Sequence, residues 1–399
     1  MPDERPAGTN ASTDEDVFEG GPPLGLERWL RLIPSPRERH IVRRVVTAIL
    51  VGWVPLAVLT VIRDVLTGIP VRNSFLMDVS VHARFLLAVP LFIIAEGDVI
   101  PRFSRIARHF LASGIVTERD RVSYFAADAS TRRLLNSKLA EWLCFVIAYG
   151  AVFALILGVE TKGLLPQWQV DEAGLLGLSA AGLWHTFVCL PILLALILGW
   201  FWRILLWWRF LALMSRLDLC LIPAHPDQSG GLRFVSTSIR GYRLLVFAIG
   251  SIVAGTDMSM ILRTGQPLIG YKNGAIGVAV LSVIMAAGPL TVFVGCLRSQ
   301  KANGTFKYGA LGRDLGFVFE RKWFARNRKM DSSVLELEDF SSMTDLYQIV
   351  GNVYEMKDVP FSLSNLQYLL MAAVLPFVPV ALMAVPLKEI LHALAKLVL

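Results

Sequence analysis

Apolar residues in this chain gather into seven long runs, separated by polar, charge-bearing stretches. The runs cover about residues 45–62, 84–100, 139–159, 178–208, 244–262, 275–297 and 366–386. A bilayer's hydrocarbon core is roughly 30 Å thick, and a helix rising 1.5 Å per residue needs about 20 residues to cross it. Membrane barrels use strands of about 10 residues with apolar residues at alternate positions. These runs are longer and continuous, so they predict helices, which also satisfy their own backbone groups where lipid cannot. The pattern predicts an all-α fold: a polytopic transmembrane helix bundle of about seven spans. Residues 178–215 form an overlong element, roughly 57 Å as one helix, which must tilt or project beyond the bilayer. The seventh run carries Pro376, Pro379 and Pro386, which predicts a kinked span or a re-entrant piece.

The stretches between the runs suggest the domain organisation. Residues 1–24 are polar and acidic and read as a disordered N-terminal tail. They contain no basic region followed by an apolar core, so the first apolar helix is the expected insertion signal rather than a cleavable peptide. Residues 25–299 form the transmembrane domain of six spans, with a mixed-charge insert at 102–138. Residues 300–365 read as a small cytoplasmic helical subdomain, and 366–399 as the seventh span and a C-terminal helix. Within the subdomain, Ser342-Met-Thr-Asp345 resembles a capping box with Asp in place of Glu. Met343, Leu346, Val350 and Val353 follow at helical spacing.

Composition agrees with this picture. The chain is 54% hydrophobic and only 18% charged, against about 25% charged in soluble domains. Lys and Arg orient the bundle. With the N-terminus inside, 31 of the 39 basic residues fall on cytoplasmic parts and 8 on outer parts. Arg28, Arg31, Arg37, Arg39, Arg43 and Arg44 precede the first span, as the positive-inside rule requires. The net charge of +7 then reflects basic loops beside anionic lipid rather than a nucleic-acid partner. Trp200, Trp202, Trp207 and Trp208, with Arg203 and Arg209, mark the expected inner interface of the fourth helix. The four cysteines (Cys144, Cys189, Cys220, Cys296) lie in apolar context without metal-ligand spacing.

The densest group of special residues follows that fourth helix, in Arg216-Leu-Asp-Leu-Cys-Leu-Ile-Pro-Ala-His-Pro-Asp-Gln-Ser-Gly-Gly-Leu232. Pro223 and Pro226 stop a helix, Asp227 suits a cap, and Gly230 and Gly231 permit left-handed backbone or close approach. Two readings stand: a rigid capped turn, or a ligand, ion or partner site built on His225 and Asp227. J-domain cochaperones also carry His-Pro-Asp, but after a soluble basic helix, whereas Leu-Cys-Leu-Ile precedes it here. Together with His82-Ala-Arg-Phe-Leu-Leu-Ala-Val-Pro90 and Ala95-Glu96, the stretch resembles a group of uncharacterised bacterial inner-membrane proteins. That resemblance implies a bacterial source and a single polytopic unit, and no activity.

Three further groups are candidates. Glu96 and Asp257 fall within predicted spans, with Asp98 just beyond the first of them. A charge at mid-bilayer costs about 2.5–3.5 kcal/mol on insertion scales, so each is expected to face protein or water. A structural pair of Asp257 with Arg263 is the alternative. On the outer side, Asp78, His82, Arg84 and His185 form a polar cluster, read as a hydrogen-bonded interface or as a metal or proton-relay site. Ala248, Ser251 and Gly255, beside Gly250 and Ala254, and then Ala279, Ser282 and Ala286, make small-residue stripes for close helix packing. The alternative is a pore or oligomer seam lined by Ser251, Thr256, Asp257 and Ser259.

No P-loop, Rossmann, nucleophile-elbow or zinc-finger pattern appears, so no cofactor is expected and enzymatic activity stays open. The leading expectation is a channel or transporter for an ion or small solute in the bacterial inner membrane, as a homo-oligomer. In it, Glu96 and Asp257 face the path and the 216–232 loop forms the inner mouth or gate. The alternatives are a membrane sensor or scaffold docking a cytosolic protein through 300–365, and a membrane enzyme acting on a lipid-type substrate.

Overall fold

The computed structural model describes residues 18, 20–22, 41–68, 75–158, 165–171, 174–265, 272–324 and 338–384. Among them all regular structure is helical, and β-type pairing is confined to isolated bridges, Val116 with Leu219 and Val170 with Leu178. Six stretches are long and apolar enough to cross a membrane: Ile41–Leu66, Lys138–Leu157, Ala180–Met214, Arg233–Thr264, Lys272–Trp323 and Leu363–Met383. The chain is an all-α, multi-pass membrane protein.

One of the seven expected spans, 84–100, is not among these six. It is helical, through Val79–His82, a π-helical turn at Ala83–Ala88 and helix α3 (Val89–Ala112). It carries Arg84, Glu96, Asp98 and Arg102, and Phe92, Ala95, Val99 and Phe103 on it are almost wholly buried. One face of the run thus packs on protein, while Leu86, Leu87 and Ile94 on another face are exposed. Helix α5 (Lys138–Gly158) differs, with Leu139, Trp142 and Leu157 exposed as a lipid-facing surface requires.

The chain divides into two compact units, residues 1–77, 92–107 and 128–206, and residues 78–91, 108–127 and 207–399. In the first, α1 (Ile41–Gly52) and α2 (Val54–Thr67) meet at Trp53, just before Pro55 in the first turn of α2. The fourth expected span is one 35-residue stretch, about 52 Å long at 1.5 Å per residue. It runs through Ala180–Trp184, a π-helical turn at His185–Cys189 and α6 (Leu190–Met214). The loop before it folds around Trp168, which meets Phe75 edge-on at 5.3 Å. Arg63 fastens that loop by donating to the carbonyls of Gln167, Trp168 and Val170. α4 (Arg121–Leu135) occupies the expected insert.

The first unit corrects the expectation of a wholly disordered tail. Phe18, Gly20, Gly21 and Pro22 are buried, with Phe18 fully so and meeting Phe103 edge-on at 5.5 Å. The rest of 1–24, apart from these four, lies outside the described residues.

In the second unit, α7 (Arg243–Thr264) packs along α8 (Lys272–Ala287) and α11 (Leu363–Val374). The small residues set these contacts. A side chain at Gly250 would meet the Ala373 carbonyl at 2.8 Å, and one at Gly255 would meet Ala83 Cβ at 2.5 Å. α8 continues through a 3₁₀ turn at Gly288–Phe293, beginning with Pro289, into α9 (Val294–Trp323). α9 packs antiparallel against α10 (Glu338–Tyr354). Gly304, Gly312 and Gly316 of α9 face Val353, Val350 and Met343 of α10, matching the predicted stripe. The capping-box expectation fails, because the helix begins at Glu338 and Ser342 lies inside it. The last span breaks at a 3₁₀ turn, Leu375–Phe377, which contains Pro376. The expected C-terminal helix beyond Ala384 lies outside the described residues.

Candidate functional site

The first unit holds a charge cluster inside its apolar helices. Glu96, on α3, is 2% exposed and sits between two arginines. Arg44 Nη1 of α1 donates to Glu96 Oε2 at 2.5 Å, and Arg203 Nη2 of α6 lies 3.2 Å from Glu96 Oε1. Both guanidinium groups are as buried as the carboxylate. Arg203 also lies over the Trp200 ring, 5.2 Å from its centroid, and its Nε and Nη2 donate to the Gly20 carbonyl at 3.3 and 3.2 Å. Charges that cannot reach water persist only when paired and hydrogen-bonded. Glu96 is therefore the counter-charge that allows two arginines from separate helices to be buried. Asp98, two residues on, is half exposed and pairs with Arg102 at 2.6 Å within its own helix.

The sequence places Arg44 on the inner flank and Arg203 at the inner interface; what it does not show is their pairing. Both lie inside long helical stretches and turn inward to the same acid. The available signal was the joint presence of one acid and two bases in three apolar helices, which demands pairing.

Asp257, in the second unit, is the opposite case. It stands on α7, half buried, and makes no hydrogen bond or ion pair among the described residues. Its Oδ2 is out of solvent contact. Gly274 of α8 faces it: a side chain there would come within 3.0 Å of that oxygen and 2.9 Å of Val253. The expected pair with Arg263 does not form; Arg263 Nη2 lies 3.1 Å from Met260 Sδ and is exposed. The hydroxyls of the alternative pore lining all have protein acceptors. Ser251 and Thr256 donate to carbonyls one turn back, and Ser259 donates to Asp78.

The outer cluster is divided between the units. Asp78 caps the helical turn that follows it, accepting from the Ser80 amide and hydroxyl and from Ser259 Oγ at 2.8 Å. Arg84 donates to Thr256 Oγ1 at 3.0 Å and lies within electrostatic reach of Asp78. His82 is half exposed nearby in sequence. His185 belongs to the first unit, where it is buried with its ring 5.6 Å from Trp168. Among the described residues, no group of three or more His, Cys, Asp or Glu comes together as metal ligands would.

The 216–232 loop is built around Asp227. Its Oδ1 accepts the amides of Ser229 and Gly231 at 2.8 and 3.1 Å, and its Oδ2 that of Arg233 at 3.1 Å. Burial pushes its carboxyl up, but these amides and the His225 side chain outweigh that and hold it below the usual aspartate range. His225 Nδ1 lies 2.9 Å from Oδ1 and 3.2 Å from the Asp227 amide nitrogen. One ring nitrogen serves only one of these, donating to the carboxylate when protonated and accepting the amide when not. Gln228, Gly230 and Gly231 all have positive φ, which explains the two glycines. Gln228 is the exception, held by the Lys357 amide on its carbonyl at 2.8 Å and by Glu355 on its side chain. The loop is thus laced to the chain just after α10. Leu219 and Cys220 are paired with Val116 and Ile115 on the other side.

No family model, curated protein or solved structure matches this chain. The assignment of function therefore rests on the chemistry of these groups.

Proposed function

We propose that this chain is an inner-membrane transport protein that moves a proton or small cation, with Asp257 as the group that takes up and releases it. The observation that carries the reading is the Asp257 carboxylate, set in a membrane-spanning helix with no partner among the described residues. A carboxylate so placed is costly as an anion, and neutralisation by a proton or a small cation removes that cost. Gly274 keeps the facing helix free of a side chain at the same oxygen. Glu96, which the sequence placed on the path beside Asp257, has a different role in this reading: it holds the first unit together. The bacterial location rests on the resemblance of the two sequence motifs, and a homo-oligomer remains the expected assembly.

The test is flux through the purified full-length protein in liposomes. Wild type is expected to pass protons, Na⁺ or K⁺ above empty vesicles, and Asp257→Asn to abolish that flux. If wild type and Asp257→Asn are both indistinguishable from empty vesicles, the reading fails.

A second reading has its own observation. Phe306 and Phe317 on α9 and Phe324 just after it are 80%, 59% and 75% exposed, and exposed apolar patches mark interaction surfaces. A sensor or scaffold docking a cytosolic protein would use this hairpin. A pull-down partner lost on deleting 300–365 supports it; isolation of the full chain without any such partner counts against it.

A further inference from the structure

Helix α9 has two faces with different tasks. One lies against α10, through Gly304, Gly312 and Gly316. The other carries Phe306, Ala310, Arg313, Phe317 and Glu320, and Phe324 just after the helix. These six are spaced four, three, four, three and four residues apart. That is the spacing of the buried seam in a two-stranded coiled coil. Here all six are exposed, and nothing among the described residues covers the stripe. Three aromatic rings in seam register, with one base and one acid between them, are not needed to hold α9 against α10.

We infer that this stripe pairs two copies of the chain, with their α9 helices antiparallel about a two-fold axis near Leu315. The argument is charge and ring complementarity of the stripe with itself. Set antiparallel, Phe306 meets the partner's Phe324, and Ala310 meets the partner's Glu320. Arg313 meets the ring of the partner's Phe317, a cation–π contact that the symmetry makes twice. Helical side chains lean toward the N-terminus of their own helix, which brings Arg313 toward the partner's Glu320. Asp314 and Arg321 flank the stripe in the same order along the chain and add opposite charges at its edge. A parallel pair has the reverse effect: it sets Arg313 on the partner's Arg313 and Glu320 on the partner's Glu320, where like charges repel. Two copies facing the same way in one membrane share an axis along its normal, so antiparallel helices must cross that axis. The 3₁₀ turn at Gly288–Phe293, with Pro289, supplies the break at which α9 can leave the line of α8. The inference is independent of flux through Asp257, and it gives the surface of the second reading a different occupant.

Disulfide cross-linking of the full-length protein in membranes tests it. The background chain has Cys144, Cys189, Cys220 and Cys296 replaced by alanine. One copy carries Phe306→Cys and a co-expressed copy carries Phe324→Cys, and the membranes are oxidised with copper phenanthroline. The mixture is expected to give a covalent dimer. Either variant alone is expected to give none, because antiparallel pairing holds its two cysteines about 27 Å apart. Arg313→Glu in both copies sets acid against acid and should lower the dimer yield about tenfold. Adding Glu320→Arg to both restores opposite charges and should return the yield. Where a charge-changed chain does not fold, the cross-link between the unchanged pair decides the matter. No dimer in the mixture overturns the inference, and a dimer from either variant alone overturns the antiparallel arrangement. A yield that Arg313→Glu leaves unchanged, or that Glu320→Arg does not restore, overturns the charge complementarity. A covalent product with another protein in place of the dimer gives the stripe to that protein and overturns self-pairing.

Discussion

Glu96 and Asp257 are two carboxylates on apolar helices, and their sequence contexts look alike. Their surroundings have little in common. Glu96 is sealed between Arg44 and Arg203, whereas Asp257 has no partner among the described residues and a glycine opposite its inner oxygen. The difference teaches that depth in a span does not assign a role to an acid. The first carboxylate lies against two cations, which suits it to hold its unit together. The second has no counter-charge among the described residues, which is why we propose it as the group that carries the ion.

The largest effect expected from breaking this contrast is at Glu96. Glu96→Gln leaves two buried guanidinium groups without their counter-charge. It should destabilise the protein by about 3–5 kcal/mol, the cost of stranding one side of a buried pair, measured by unfolding in detergent. Adding Arg44→Gln should recover part of that loss. No recovery would mean that the three residues do not act as one cluster.

An intermediate effect is expected at the loop. Asp227→Ala frees three amides and should cost about 1–2 kcal/mol, as loss of a side-chain cap does. The carboxyl's folded pKa lies below its ordinary value of about 3.9. Its contribution is therefore complete above that pH and drains away as pH falls from there through the folded pKa. Wild type should lose stability relative to Asp227→Asn across this acidic window and not at neutral pH. A constant difference down to low pH would remove Asp227 as an ionised cap.

The smallest effect on stability is expected at Asp257. Asp257→Asn breaks no described interaction and should change unfolding free energy by well under 1 kcal/mol, even where it abolishes flux. A loss as large as that of Glu96→Gln would erase the distinction between the two acids.

Much of this molecule was legible in its residues because the bilayer imposes a one-dimensional rule. Run length alone identified the helices at Ile41–Leu66, Lys138–Leu157 and Ala180–Met214. The run at 84–100 is helical as expected but carries Arg84, Glu96 and Asp98, and is not among the six stretches long and apolar enough to cross a membrane. In the 216–232 loop, the glycines and Asp227 announced a capped turn, but nothing in that stretch announced Lys357 and Glu355 as its clamp. Phe18 and Gly20 lay in a polar, low-complexity context that disguised a docked segment.

The sequence by itself determined the helical, membrane-spanning class, the small-residue seams along α7 and the turn chemistry around Asp227. Each follows from local rules of hydropathy, side-chain size and backbone freedom. Tertiary structure alone decided which charges meet. Arg44, Glu96 and Arg203 are 52 and 107 positions apart along the chain, and no local rule reaches that far. The cost of burying a charge obliges it to find a partner, and only the packed helices determine that, among the described residues, Glu96 finds two and Asp257 none.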